Sequence, residues 1–171
     1  MLMTPSFRPR SRPTGDLVEA LSSCHDKIRI FLAGLDRIVS LPDLGDPRVP
    51  EAAAQARRYF AEGLPLHADD EDLSLAPRLR LAVPASASLM DDLARDHEAI
   101  HACLATLVIQ LDALAQGRQT PHSVLRATVT LLSGLLLPHI EREEAELFPM
   151  CAQLSTADRR AISREIVARR A

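Results

Sequence analysis

Tryptophan is absent from the 171 residues, and one Tyr with four Phe brings the aromatics to only 3%. The apolar 47% is mostly Leu, Ala, Val and Ile, so the chain lacks the aromatic and β-branched enrichment that strands favour. That argues against a sheet protein and for an all-helical one. Cysteine is scarce too: Cys24, Cys103 and Cys151 are odd in number and widely spaced, in a chain long enough to fold without disulfide staples. They are expected to stay reduced. No uninterrupted apolar run reaches the ~18 residues of a membrane span. The Pro- and Arg-rich start, Met1 to Gly15, lacks the apolar centre of a secretion signal. These absences predict a soluble, cytoplasmic protein of one domain, with no membrane partner.

The formal net charge of −3 is unevenly spread. Residues 1–15 carry three Arg and no acid, and residues 155–171 carry five Arg against Asp158 and Glu165, which leaves the middle near −9. A centre that acidic predicts no nucleic-acid surface, although the basic ends suit an acidic protein partner of unspecified identity.

Between Asp16 and Ser40, residues Leu17, Leu21, Ile28, Leu32, Leu35 and Val39 recur at helical steps, which predicts a first helix. The Pro-, Gly- and Asp-rich stretch Leu41 to Pro50 reads as a loop. A second helix is expected from about Pro50 to Leu81, kinked at Pro65. After a break at Val83 to Ser88, a third runs to Gln116-Gly117, a helix stop. Thr120-Pro121 opens a fourth that passes Pro138 and reaches about Leu154, and Ser155-Thr-Ala-Asp158 caps a short basic helix. The expected architecture is an all-α, antiparallel up-down four-helix bundle over residues 16–154. A flexible basic tail precedes it (1–15), and a C-terminal helix follows as an appendage (155–171).

Five of the six histidines form an ordered set. His67 and Glu71, His139 and Glu143, and His97 and His101 are pairs four residues apart, so each pair shares one helix face. His25 lies on the apolar stripe of the first helix, and only His122, beside a helix start, stands apart as exposed or capping. A shift of 72 residues maps His25 onto His97 and His67 onto His139, and carries Glu71, Leu75 and Pro77 onto Glu143, Leu147 and Pro149. The chain therefore reads as two copies of a helix pair around one centre, which suits two metal ions. Seven such groups buried together would cost about 1 to 3 kcal/mol for each left unsatisfied, and a cation satisfies them jointly. Imidazole-rich sites suit Zn, Cu, Fe or Ni, and spacing alone does not choose among them. The remaining acids of the clusters Asp69 to Asp72 and Glu141 to Glu146 read as solvated faces. Cys24, turned about 100° from His25, reads as core packing.

The series His25, His67-x-x-x-Glu71, His97-x-x-x-His101, His139-x-x-x-Glu143 resembles the hemerythrin-like family of HHE cation-binding four-helix bundles, over roughly Asp16 to Leu154. The resemblance implies a non-haem di-iron centre, oxo- or hydroxo-bridged, that binds or senses dioxygen or a related small molecule such as nitric oxide or peroxide. It assigns His97, His101 and His139 to one iron, His25 and His67 to the other, and Glu71 and Glu143 to the bridges, with one position left open on the two-His iron. Glu144 takes the place where the invertebrate oxygen carriers of the family have an Asp, but the helix-face spacing favours Glu143. The expected wall of the open position is Leu21, Ile28, Leu104 and Leu135, and Arg29 is expected to pair with Glu71 or Glu143. Pro65 and Pro138 are expected to kink their helices and aim His67 and His139 inward. The leading expectation is a binding module rather than an enzyme. The alternatives are turnover of nitric oxide or peroxide or iron donation for iron-sulfur repair, and an iron-responsive interaction domain.

Overall fold

The computed structural model describes residues 17–171, and the basic tail expected over 1–15 lies outside the described residues. The described residues form helices joined by short connections, with no strand among them. Helix α1 spans Leu17–Val39, α2 residues 49–82, α3 Ala87–Ala115, α4 His122–Gln153 and α5 Thr156–Ala168. The expected helix boundaries agree to within a residue or two.

Cross-helix contacts give the topology. Phe31 stacks on Tyr59 at 4.0 Å while His25 meets His67 at 5.1 Å, so α1 and α2 run antiparallel. Arg57 pairs with Asp112 at one end of α2–α3 and Arg80 with Asp91 at the other. Gln110 bonds Thr128 and Arg142 bonds Asp92 across α3–α4. Arg29 reaches Glu144, while His122 and Arg126 both donate to the Val39 carbonyl, at 2.8 and 2.6 Å, closing the ring from α4 back to α1. His122 thus caps the C-terminus of α1, where carbonyls lack helical partners and the helix dipole favours cationic or donor groups. Helix α3 stops at Gly117, whose φ of +68° lets Arg118 N and Gly117 N donate to Ala113 and Leu114 in a Schellman motif.

Two of these helices, α3 and α4, are by length and composition long enough and apolar enough to cross a membrane. The criterion of an uninterrupted run misses them because a few charges interrupt each. Both carry inward-facing polar residues: His97 on α3, and His139 and Glu143 on α4, are buried.

Helices α2 and α4 contain three π-helical turns, Tyr59–Gly63, Asp70–Leu75 and Glu143–Leu147. Each closes with an i→i−5 bond, from Leu64 to Tyr59, Ala76 to Glu71 and Phe148 to Glu143. In each case the next residue is proline: Pro65, Pro77 or Pro149. Proline lacks the N–H of the regular ladder, and its ring collides with the carbonyl four residues back. A widened turn just ahead of it relieves both. The expectation at Pro138 needs correction, because α4 passes through it as an unbroken α-helix and widens only five residues later. The effective prolines are Pro77 and Pro149, which follow the glutamates.

The core falls into two apolar clusters. The larger is built from Ile28 to Val39 of α1, Val49 to Leu64 of α2, Ile100 to Leu114 of α3 and Leu125 to Ile140 of α4. The smaller joins Leu17 and Leu21, Leu75 and Leu79, Leu89 to Leu93 and Leu147 to Leu154 with Ile162 and Ile166 of α5. Helix α5 is therefore no appendage. Ser155 caps it by accepting from Asp158 N, Arg78 clasps Glu165 at 2.6 Å, and Ile162 is fully buried. Ile162→Ala should cost about 2–5 kcal/mol by cavity formation. In urea unfolding followed by circular dichroism, this should appear as a lower midpoint of one common transition; a separate early transition of α5 would show that it is not part of the cooperative unit.

Candidate metal centre

Between the two apolar clusters lies a polar layer. His25 and Glu143 are fully buried, and His67, Glu71, His97 and His139 are each at most 5% exposed. Their donor atoms form two groups, His25–His67–Glu71–Glu143 and Glu71–His97–His139–Glu143, with all atoms of each group within 4.8 Å of one another. Six of the seven residues singled out from sequence thus come together. The seventh, His101, is exposed on α3, one turn beyond His97, and lies outside both groups.

The carboxylates face two ways. Glu143 Oε2 lies 3.1 Å from His25 Nε2, and its Oε1 lies 3.1 Å from His139 Nε2 and 4.0 Å from His97 Nε2. Glu71 Oε1 lies 3.7 Å from His67 Nε2, and its Oε2 lies 3.3 Å from His97 Nε2. Each glutamate therefore spans one imidazole pair with one oxygen and the other pair with the second. Local backbone makes this possible. Both glutamates open or nearly open a π turn, and the wider turn lets a carboxylate beside the histidine four residues earlier also face the other helix pair.

The outward ring nitrogens have their own partners. His25 Nδ1 is 2.9 Å from Glu144 Oε1, His97 Nδ1 is 3.0 Å from Asp72 Oδ2 and His139 Nδ1 is 3.4 Å from Asp96 Oδ2. An ionised carboxylate only accepts, so each Nδ1–H donates, which turns each Nε2 inward, the atom a metal would take up. Arg29 donates to Glu144 Oε2 at 2.9 Å, and its guanidinium holds the Glu144 carboxyl below the usual carboxylate range. Arg29 therefore pairs with Glu144 rather than with Glu71 or Glu143 as expected. Glu144 is the outward partner of an imidazole, and Glu143 is the residue inside.

Burial dominates the electrostatics. It pushes the His67 imidazole down to about 3, with the neighbouring His25, His97 and His139 adding to the effect. Burial, followed by the negative charge of Glu143, raises Glu71 well above the carboxylate range. Burial also acts to raise Glu143, but His139 and His25 against its two oxygens outweigh it and hold the carboxyl low.

Seven of the eleven orphaned buried side-chain atoms among the described residues belong to this layer: His25 Nε2, both nitrogens of His67, and all four oxygens of Glu71 and Glu143. They approach one another without aligning as hydrogen bonds. At about 1–3 kcal/mol each, seven such atoms would consume most of the ~5–15 kcal/mol that keeps a domain folded. Convergent, unpaired imidazoles and carboxylates fit a metal cation, which satisfies them together.

Sequence reasoning missed several residues around the site. Asp72, Asp96 and Glu144 are the imidazoles' partners. Asp70, read as part of a solvated face, is 1% exposed and is held by Arg169 at 2.8 Å and Arg170 at 2.5 Å. The available signal was that Asp72 and Glu144 are themselves 72 residues apart. A small cavity of about 10 Å³ adjoins the imidazoles, lined by His67, His97, His101 and His139 with Ile28, Leu64, Ala68, Ile100 and Leu136. Of the four residues expected to form this wall, only Ile28 does; Leu21 packs in the smaller apolar cluster, and Leu104 and Leu135 pack in the larger one. Cys24, expected in the core, is half-buried.

The four-helix layout and this buried layer define a cation-binding bundle. The chain belongs to the hemerythrin family: it matches the family described as Hemerythrin HHE cation binding domain over residues 16–151. It is also similar to a Haemophilus influenzae protein described as uncharacterized, 32% identical over 102 residues. That match covers 57% of this chain and 58% of the relative's length.

Because the layer is costly when empty, His67→Leu should leave the metal-free protein at least as stable as wild type while reducing its thermal stabilisation by added iron(II). Thermal melts with and without a chelator measure this. A wild-type melting temperature indifferent to chelation and to added metal would contradict the assignment.

Proposed function

We propose that the chain is a non-haem di-iron protein that reversibly binds or senses dioxygen, or a related small molecule such as nitric oxide or peroxide. His25 and His67 serve one iron, His97 and His139 serve the other, and Glu71 and Glu143 span the pair. The observation that carries this reading is the two-sided arrangement of the carboxylates, each with one oxygen toward His25 or His67 and the other toward His97 or His139. One ion would draw oxygens to one side; two ions use both. Mixed imidazole and carboxylate donors inside a helical bundle suit iron among the imidazole-binding metals.

Bound iron would supply reversible redox chemistry toward a small guest, and the chain's own residues select which guest arrives. The 10 Å³ cavity is about the size of one water-sized sphere. Its apolar walls, Ile28, Leu64, Ala68, Ile100 and Leu136, offer no hydrogen bonds to an anion or a polar metabolite. His101, exposed on the same wall and outside both donor groups, would join the second position only by turning inward. We place the chain in the cytoplasm, in keeping with a buried polar layer that would be costly in lipid.

Protein purified without oxygen should carry two irons per chain, and its absorption spectrum should change on admission of air, nitric oxide or peroxide and revert when the ligand is removed. An unchanging spectrum overturns the reading. Consumption of nitric oxide or peroxide over many turnovers would replace it with the enzyme alternative.

One contact favours a second reading, an iron-responsive interaction module. Asp70, next to Glu71, is gripped by Arg169 and Arg170 at the end of α5, which ties the metal layer to the closing helix. Amide exchange across Thr156–Ala168 should slow on metal loading; identical exchange in both forms would remove this option.

A further inference from the structure

The 72-residue repeat extends beyond the metal donors to the acids that hold the imidazoles, and among those four places it is broken at one. Asp72 maps onto Glu144 and His97 onto His25, and the contacts obey the same exchange. Asp72 of the first half bonds His97 of the second at 3.0 Å, and Glu144 of the second bonds His25 of the first at 2.9 Å. The remaining partner, Asp96, bonds His139 at 3.4 Å. Shifted by 72 residues, His139 becomes His67 and Asp96 becomes Cys24. A thiol is a weak acceptor where the other three places hold carboxylates. His67 is correspondingly the imidazole whose outward nitrogen is buried without a partner.

We propose that the two metal positions are unequal, because Glu144, Asp72 and Asp96 lock three imidazoles in the metal-binding orientation while Cys24 leaves His67 unlocked. The inference rests on the dinuclear reading above and concerns positioning residues, none of which touches the metal. His97 and His139 are both fixed by carboxylates. On the other side only His25 is fixed, and Glu144, which fixes it, is itself steadied by Arg29. Carboxylates that hold a ligand imidazole are worth about 10–100-fold in metal affinity. The His97–His139 position therefore fills first, and the His25–His67 position follows at about 10–100-fold weaker affinity. The missing device can be restored. The Arg170 charge lies close enough to act on Cys24, so a carboxylate at position 24 would find a steadying cation, as Glu144 finds Arg29.

The experiment is an oxygen-free titration of the full chain with cobalt(II), read by its visible spectrum and by competition with a chromophoric chelator. Wild type should take up two ions in two resolved steps. Cys24→Asp should tighten the weaker step about 10-fold or more and leave the stronger one in place, whereas Cys24→Ser should tighten neither. Glu144→Gln should loosen the weaker step alone, and Asp72→Asn the stronger alone, with Asp72→Glu restoring it. Equal affinities for the two ions in wild type overturn the inference while leaving the dinuclear reading intact. A folded Cys24→Asp protein with an unchanged weaker step does the same. If Cys24→Asp does not fold, the two carboxamide variants decide: loosening of both steps together, or of neither, overturns the proposal. Fewer than two cobalt ions at saturation sinks the dinuclear reading and this inference with it.

Discussion

The structure depends on one costly act, the burial of four imidazoles and two carboxylates between two apolar clusters. A core of this size could be closed with apolar side chains alone, as the clusters above and below the layer are. Instead the bundle gives up a full cross-section to groups that do not satisfy one another, and seven orphaned atoms remain there. At about 1–3 kcal/mol each, that deficit is comparable to the whole stability of a domain. A cation is the compact way to cancel it. The bundle therefore couples folding to metal more tightly than its helix count suggests.

The backbone is adapted to the same end. Glutamate spaced four residues from histidine on an ideal helix stacks along one face, whereas here each glutamate must reach past its own histidine to a second helix pair. The π turns at Asp70–Leu75 and Glu143–Leu147 provide that reach, and Pro77 and Pro149 hold the turns wide. The solution appears twice because the chain is doubled. The departures from doubling are informative as well: Arg29 stands where the second half has His101, and Cys24 stands where it has Asp96. One half is richer in imidazoles, the other in cationic support.

Much of this was legible before any coordinates. Leu17 through Val39 and their counterparts set the helices through simple periodicity, and Gly117 and Ser155 marked a stop and a start through local backbone chemistry. The His-x-x-x-Glu pairs and the 72-residue shift located six of the residues that converge. What was not legible depended on contacts between helices. Glu144 and Asp72 look like ordinary surface acids until helix packing sets them against an imidazole from the other half. Asp70 looks equally ordinary until the chain's last residues fold back onto it. The cavity wall was misread, apart from Ile28, because helix periodicity says which face is inward but not at what height it meets its neighbours.

By itself the sequence determined the periodic elements, their ends and the inventory of donor side chains, because these follow from the properties of residues within a turn or two of one another. Tertiary structure alone decided that Glu144, at the edge of the layer, meets His25 from the other half of the chain. It likewise decided that His101 faces solvent, and that His67 lacks the carboxylate its three counterparts have. Those outcomes depend on the relative rotation and height of four packed helices, where a shift of one residue turns a side chain by about 100°.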